Sequence, residues 1–436
     1  MPMPLHTRAG SCVHTVTVAS HGRHMRDLMR DSGLVQCLLR AAYRASASWS
    51  SAGLLSPHRD LLHSDFTARA EIEFTTRCNL RCVYCHSAVP GHKGYDLDLV
   101  HLDHVVDVIA QRGALAVGVS GSGETTIIKD WQHYCNRILD RGIDLFITTN
   151  LARELKDEEA LTLARLLIIQ VSVDTADPDL FRKLRRGGDL RTVVYNMAKI
   201  RTLALRHGLR APIIWWNAVV NSCTVWGLRE YVTFGLAQGV KHFNFLSMYE
   251  HRPPDDSLKV LPLARIPREH LRSIAPLMES VFRKIRQGNG SYVCNTVLDE
   301  VRCGLTDTSL DGNGQTPSGP LTGAGELTRD CLDPWIYFKV ACDGSIRPCC
   351  AGRDVIGVLN SGAHLSDILN NSRIRELRES LLTGRLEPVC RTCKLKGWTS
   401  LEALRLKVSL ISAARRISTA LHRRGLLVPL IHAWRR

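Results

Sequence analysis

The sequence predicts an α/β protein in which a partial (β/α)6 TIM-type barrel is followed by a small cysteine-rich domain. Six strand-like apolar runs alternate with amphipathic helical stretches through the middle of the chain. Such regular alternation gives a parallel sheet with helices on its outer face, and six units are two short of a closed eight-stranded barrel. The cysteine-rich domain is predicted from spaced cysteines near the C-terminus.

The six predicted strands should end at one edge of the sheet. They are residues 71–76, 116–121, 144–150, 167–174, 212–221 and 242–249. Amphipathic stretches such as residues 97–113 and 228–240 lie between them, and Asp177 followed by Pro178 marks one helix start as the N-cap and the first helical residue. Because the carboxyl ends of parallel strands gather at one edge, we expect the functional groups there.

Five segments divide the chain. Residues 1–70 are an N-terminal extension to which the sequence assigns no role, and residues 71–290 form the barrel. A Gly- and Thr-rich linker at residues 291–330, which could cover the substrate, leads to the cysteine-rich domain at residues 331–400. Residues 401–436 are a basic amphipathic tail.

Composition and charge exclude several classes of protein. The chain has no apolar run of 18 or more residues and no apolar core of a secretory signal, so we expect the cytoplasm, where cysteines more often bind metals than form disulfides. The net charge of +15 lies mostly at the ends: eight Arg or Lys against one Glu in residues 401–436, and eight Arg against four Asp in residues 1–70. The central body therefore lacks the basic surface that nucleic-acid binding requires.

The tail has one apolar face. Leu410, Ile411, Ala414, Ile417 and Leu421 share that face of a helix over residues 408–436. We expect this face to pack on the protein's own body, with a protein partner or an anionic membrane surface as the alternatives.

Three cysteines follow directly after the first predicted strand. Cys78, Cys82 and Cys85 have the spacing C-x3-C-x2-C, without a fourth cysteine or a suitably spaced histidine nearby. Structural zinc takes four closed ligands, and a conventional iron–sulfur site takes four thiolates. Three thiolates around a 4Fe–4S cluster would leave one iron open to a ligand with amine and carboxylate groups.

This spacing resembles the signature of the radical S-adenosylmethionine (radical SAM) enzymes. In that family the aromatic residue before the third cysteine, here Tyr84, packs against the adenine end of SAM. The segment 120–126 resembles the family's Gly-Gly-Glu segment: Gly121, Ser122 and Gly123 would let the backbone approach the methionyl ammonium, and Glu124 would accept a hydrogen bond from it. Ser122 departs from the family pattern.

Other strand ends carry further points of resemblance. By likeness to the family, Asn150 would lie near the cofactor, Ser172 and Asp174 would contact its ribose, and Arg185 would meet its carboxylate. Three of the proposed cofactor residues also have an ordinary alternative: Tyr84 as a core aromatic, Asn150 as a turn residue and Asp174 as a cap.

The second cysteine set begins at residue 331. Its pattern, C-x12-G-x4-C followed by C-x2-C, resembles the SPASM domain or its shortened twitch form. The resemblance implies one auxiliary 4Fe–4S cluster whose four ligands come from the protein. They are Cys331, Cys349, Cys390 and Cys393. Cys350 is a rival to Cys349, and four cysteines alone would also suit zinc.

The remaining cysteines lack metal-site spacing. Cys342 is expected near a hairpin at the dipeptide 343–344. Cys12, Cys37, Cys135 and Cys223 are expected to be structural, and Cys294 and Cys303 to be free thiols.

The resemblance implies a radical oxidoreductase. Reductive cleavage of SAM would give methionine and a 5′-deoxyadenosyl radical that takes hydrogen from a substrate, and the auxiliary cluster would accept the electron left behind. An electron donor such as flavodoxin or ferredoxin is implied. We expect a sugar, an aminocyclitol or another small molecule as substrate, because the N-terminus shows no peptide-leader-binding module. The alternatives are a maturase for ribosomally made peptides and a non-catalytic zinc-binding scaffold.

Overall fold

The structure is a computed structural model. It describes residues 60–411 except for 99, 101, 249–257, 295–296, 299, 302–304, 306–326, 350–353, 360–361, 363 and 394. Most of the predicted linker lies outside the described residues, as do Cys12, Cys37, Cys303, Cys350 and residues 412–436.

A single large sheet contains the six predicted strands. They are β1 (Arg69–Ile72), β3 (Ala116–Val119), β4 (Asp144–Thr149), β5 (Ile168–Ser172), β7 (Ile213–Val220) and β8 (His242–Ser247). These six strands are consecutive neighbours in the sheet, and each pair of neighbours is parallel. The α/β fold class with its open parallel barrel is confirmed. Two two-residue strands, β2 (Arg81–Cys82) and β6 (Arg185–Arg186), form a separate antiparallel ladder.

The sheet extends beyond the six predicted strands at both edges. A seventh parallel strand, β9 (Ser291–Val293), pairs with β8. On the other side β11 (Tyr337–Val340) runs parallel to β1, and β12 (Ser345–Arg347) and β13 (Gly357–Val358) follow it antiparallel. The first hairpin of the cysteine-rich segment therefore belongs to the barrel sheet. Its turn is at the predicted dipeptide, where Gly344 has φ +77°.

Helices cover the outer face of this sheet. They are α1 (Leu102–Gln111), α2 (Trp131–Leu139), α3 (Asp157–Ala164), α4 (Pro178–Leu184), α5 (Leu190–Arg206), α6 (Leu228–Ala237) and α7 (Arg268–Gln287). The start of α4 is as predicted, because the Asp177 side chain accepts from the backbone N–H of Asp179 and Leu180. The main apolar core lies between these helices and the sheet.

The C-terminal part has a smaller core of its own. It contains a two-stranded ladder, β10 (Leu327–Arg329) with β14 (Trp398–Ser400). The helices of the C-terminal part are α8 (Asp333–Ile336), α9 (Leu365–Ile368), α10 (Ser372–Thr383), α11 (Pro388–Arg391) and α12 (Leu401–Ser409). Leu365 and Ile368 of α9 belong to the main core instead. Residues 60–68 pack here as well: Phe66 is in this core and Leu61 accepts a 2.7 Å hydrogen bond from the Trp335 indole.

The described start of the tail packs on this second core. Leu410 and Ile411 are 7% and 4% exposed and lie in the same cluster as Leu404 and Trp335. Among the described residues, no helix combines the length and apolar character needed to cross a membrane.

Candidate functional site

The first cysteine loop is held by the β2–β6 ladder at the carboxyl edge of the sheet. Cys82 is in β2 opposite Arg185 in β6, and it is 8% exposed. Cys78 and Cys85 are half-buried. Two short strands that are distant in sequence therefore fix the middle cysteine, while the other two remain accessible from the edge of the sheet.

Each of the three sulfurs has a polar neighbour. Cys78 Sγ lies 3.4 Å from the backbone N of Leu80 and 3.8 Å from Asn150 Nδ2. Arg185 Nη1 lies 3.9 Å from Cys82 Sγ, and Ser87 Oγ lies 3.0 Å from Cys85 Sγ. Donors around ligand sulfurs stabilise thiolates and tune a bound cluster, so this loop suits an anionic sulfur cage.

Burial and neighbouring groups shift the pKa values of these thiols. The pKa of Cys82 is raised to about 12, chiefly by burial and also by Asp174, Cys85 and Cys78, against the effect of Arg185. Burial also raises the pKa of Cys78, to which Cys85 contributes. Metal binding removes such protons outright, because the metal's positive charge favours the thiolate.

The donor chemistry of this loop suits an iron–sulfur cluster, because thiolates are the protein ligands of such clusters and each thiolate binds a different iron. Three thiolates leave one metal position open. Within the described parts of the chain, no group of three or more His, Cys, Asp or Glu side chains has an arrangement that could hold a metal ion.

Asp174 binds two other predicted cofactor residues, Arg185 and Tyr84, beside this loop. It lies just beyond the end of β5, is 0% exposed, and accepts from Arg185 through Nε (2.8 Å) and Nη2 (2.9 Å). It also accepts from the Tyr84 hydroxyl and from the backbone N–H of Val219 (2.9 Å). The pKa of Tyr84 is raised, chiefly by burial, so its hydroxyl stays protonated as a donor. The predicted contacts of Asp174 with ribose and of Arg185 with a carboxylate stay predictions; the structure adds that the two are ion-paired.

Glu124, which lies beyond the end of β3, accepts hydrogen bonds from residues at the end of β4. Its side chain is 2% exposed and accepts from the Thr126 and Thr149 hydroxyls, at 2.8 Å and 2.7 Å, and from the backbone N of Asn150 at 2.7 Å. Asn150 in turn reaches Cys78. Glu124 therefore positions the cysteine loop through Asn150, while its predicted contact with an ammonium group stays a prediction.

The glycine segment packs tightly against the residues that lead into the cysteine loop. A Cβ on Gly121 would lie 2.3 Å from Glu73 Cγ, and one on Gly123 would lie 2.3 Å from the Arg77 carbonyl. The backbone N–H of Ser122 donates to Glu73 Oε1 at 2.6 Å. Glycine is therefore required at both positions, and Ser122 takes part through its backbone.

Glu73 is a buried carboxylate that the sequence reasoning missed. It is 5% exposed, and its second oxygen lies 3.5 Å from the Cys342 sulfur. Its place directly after β1, at the carboxyl end of a barrel strand, was the available signal. Cys342 lies beside the turn, as predicted, and Cys135 is fully buried.

The sheet also presents a row of polar side chains that was not predicted. Thr148 Oγ1 and Asn217 Nδ2 donate to Gln170 Oε1 at 3.2 Å and 3.0 Å, and Asn244 Nδ2 donates to Asn217 Oδ1 at 3.3 Å. The row crosses β4, β5, β7 and β8. Ser172 lies half-buried at the end of β5, next to Asn217 in register. We call Thr148, Gln170, Asn217 and Asn244 the polar row.

The second cysteine set is brought together by distant elements. Cys331 follows β10, Cys349 follows β12, and Cys390 and Cys393 lie at α11. Burial raises the pKa of Cys390 to about 12, with Cys349, Glu387 and Cys393 adding to it. Burial, Asp333 and Cys349 raise the pKa of Cys331. Cys349 therefore affects both Cys331 and Cys390. That the four cysteines bind one cluster stays a prediction, and the choice between Cys349 and Cys350 stays open.

Two family models match the chain. Residues 72–213 match the Radical SAM superfamily, and residues 331–394 match SPASM, an iron–sulfur cluster-binding domain. The matched segments contain the two cysteine sets. The chain therefore contains a radical SAM domain and a C-terminal SPASM domain, as the resemblance predicted. These domains imply a 4Fe–4S cluster with SAM, together with auxiliary iron–sulfur binding.

Similar proteins include several cyclases. A probable GTP 3′,8-cyclase of Methanococcus maripaludis strain C6 is 26% identical over 326 residues, which are 73% of this chain and 95% of the relative. The GTP 3′,8-cyclase of Limosilactobacillus fermentum is 35% identical over 138 residues, 30% of this chain and 41% of the relative. The crystal structure of Streptococcus suis SuiB bound to S-adenosylmethionine is 16% identical, covers 76% of this chain and 72% of SuiB, and has a TM-score of 0.50. This structural likeness supports the fold.

Proposed function

We propose that the protein is a radical SAM oxidoreductase that oxidises a small polar molecule. The observation that supports this most strongly is the presence of two separate cysteine sets with different ligand numbers. Three cysteines lie at the carboxyl edge of the sheet beside the buried Asp174–Arg185 pair, and four lie in the SPASM domain. Three thiolates leave one metal position for SAM, whereas four thiolates leave none.

The residues of the barrel edge would hold and orient the cofactors. Cys78, Cys82 and Cys85 would bind the cluster. The residues proposed to contact SAM are Tyr84, Gly121, Ser122, Gly123, Glu124, Asn150, Ser172, Asp174 and Arg185. When bound, the cluster and SAM supply a 5′-deoxyadenosyl radical for hydrogen abstraction, which is chemistry that belongs to the cofactor. The protein's part is to fix the geometry and exclude water.

The polar row supports a substrate with several hydrogen-bonding groups. Gln170 and Asn244 are half-buried and lie on the face of the sheet opposite the main core. A sugar or aminocyclitol offers hydroxyl and amino groups to such amides. The similarity to proteins named GTP 3′,8-cyclases also favours a small polar molecule over a peptide.

The SPASM cysteines would make the reaction an oxidation. Their cluster would accept the electron left on the substrate radical as the substrate also loses a proton. A donor such as flavodoxin or ferredoxin would supply the electron that starts each turnover. We expect the cytoplasm, because thiolate ligands persist in a reducing compartment.

Anaerobic reconstitution tests this function. The protein should bind about eight irons, four in each cluster, and should form 5′-deoxyadenosine from SAM when reduced. Deuterated sugars and aminocyclitols should transfer deuterium to 5′-deoxyadenosine, and model peptides should not. Transfer from peptides alone would favour the maturase reading, and a colourless protein with stoichiometric zinc would favour the scaffold reading.

A further inference from the structure

Arg329 binds the backbone of the loop that carries Cys390 and Cys393. It ends β10, two residues before Cys331, and it is 7% exposed. Its Nε donates to the Cys390 carbonyl at 2.8 Å, and its Nη1 donates to the Lys396 carbonyl at 3.0 Å. Its Nη2 donates to the Arg391 carbonyl. One guanidinium therefore fixes the backbone on both sides of Cys393.

An aromatic ring fixes the plane of this guanidinium. Arg329 and Trp398 are cross-strand partners in the β10–β14 ladder, and Arg329 Cζ lies 3.9 Å from the centroid of the Trp398 ring. Arginine stacks on aromatic faces and presents its donors in a rigid planar fork. The positive charge is therefore held in one place.

The charge on Arg329 has no carboxylate partner among the residues that the structure describes. Asp330 and Asp333, which follow it in the chain, are paired elsewhere: Asp330 with Lys407 at 2.5 Å, and Asp333 with Lys396 at 3.0 Å. The Arg329 guanidinium stays protonated at neutral pH. It donates directly to the backbone of Cys390, one of the four predicted ligands, and to that of Arg391, two residues before Cys393.

We propose that Arg329 sets the reduction potential of the auxiliary cluster by holding a positive charge beside its ligand loop. This inference rests on the proposed function. The substrate radical loses one electron and one proton, and the electron is taken up at the auxiliary site. Four thiolates make that site anionic, so a fixed cation stabilises the reduced form and raises the potential. Arg329 is thus a positioning residue that favours electron transfer away from the substrate.

The test measures the potential directly. In a background with Cys78, Cys82 and Cys85 changed to Ala, only the auxiliary cluster remains for a redox titration followed by EPR. Arg329→Gln should shift the reduction equilibrium toward the oxidised form by about tenfold, which is about 59 mV more negative for a one-electron couple. Arg329→Lys keeps the charge and should stay near the parental potential. Arg405→Gln is the matched control, because Arg405 also donates to a carbonyl, that of Leu382, but is exposed.

The outcomes separate this inference from the function on which it rests. An unchanged potential in Arg329→Gln, or equal shifts in the Gln and Lys variants, would overturn the electrostatic role and leave the oxidoreductase standing. Loss of the cluster from both variants would assign Arg329 to folding alone and would also overturn it. Zinc in place of iron in the parental SPASM site would overturn both proposals together.

Discussion

Two buried arginines lie beside the two cysteine sets, and they are partnered in opposite ways. Arg185 at the barrel edge is bound by both oxygens of Asp174, so the pair is neutral. Arg329, just before the SPASM domain, donates to three carbonyls and has no carboxylate partner in the part of the chain that the structure describes. Because the Asp174–Arg185 pair has no net charge, it adds no net charge to the site that would bind the cofactor. An uncompensated cation gives a site that favours an added electron. The comparison suggests that the two clusters differ in potential because their surroundings differ in charge.

The largest expected effect is the loss of the barrel cluster alone, measured as iron content. Changing Cys78, Cys82 and Cys85 together to Ala should abolish SAM cleavage and leave about four of about eight irons. The physical reason is that the SPASM ligands are on different elements and do not depend on this loop. Iron analysis and detection of 5′-deoxyadenosine measure the two results. Cys135→Ala, which changes a buried cysteine within α2, is the control and should keep both. Continued SAM cleavage in the triple variant would refute the assignment of the barrel site.

The reverse substitution should separate SAM cleavage from turnover. Changing Cys390 and Cys393 to Ala should remove the auxiliary cluster and stop substrate oxidation. Uncoupled formation of 5′-deoxyadenosine should continue, since the barrel site is intact. Assays of product and of 5′-deoxyadenosine on the same sample measure this ratio. Turnover at the parental rate would show that the auxiliary site is not the electron acceptor.

The free energy of unfolding should distinguish the buried Asp174–Arg185 pair from an exposed ion pair. Asp174→Asn leaves the Arg185 charge buried without a partner, and such a loss costs about 3–5 kcal/mol. The control is Asp179→Asn, whose partner Arg182 lies 2.8 Å away on an exposed surface; there the loss should be about 0–1 kcal/mol. Denaturant unfolding of the apo-protein measures both.

A double variant tests whether charge causes that loss. Asp174→Asn combined with Arg185→Gln removes both charges and should be more stable than Asp174→Asn alone. A double variant that is no more stable would mean that hydrogen bonds to Tyr84 and Val219, rather than charge, hold this region together.

The sequence was informative where local patterns carry the information. Alternating apolar runs located all six barrel strands, and the Asp177–Pro178 pair located the start of α4. It could not show that Asp174 and Arg185 bind each other, because their meeting depends on the β2–β6 ladder. The strand β9 was missed because three residues are too short for a periodic pattern.

Arg329 left no signal that sequence reasoning could detect. Its acceptors are backbone carbonyls 61 to 67 positions further along the chain, and any residue type supplies a carbonyl. The polar row was missed for a related reason. Gln170, Asn217 and Asn244 belong to separate strands, and only the register of the parallel sheet brings their amides together.

The smallest expected effect concerns the packing of the C-terminal part alone. Leu410 is 7% exposed in the core that contains Cys331 and Leu404, so Leu410→Ala should cost about 2–3 kcal/mol, the lower part of the range for buried leucines. In the protein that lacks the barrel cysteines, this should lower the temperature at which auxiliary iron is released. SAM cleavage by the otherwise unchanged protein should not fall, because the barrel core is separate. Leu406→Ala, at a position 38% exposed, is the control and should change the release temperature less. Two results together would contradict this. Leu410→Ala and Leu406→Ala would lower the release temperature equally, and the full-length protein would sediment with anionic vesicles in a salt-sensitive way that truncation after Lys407 abolishes. The tail would then bind a membrane surface rather than pack on the SPASM core.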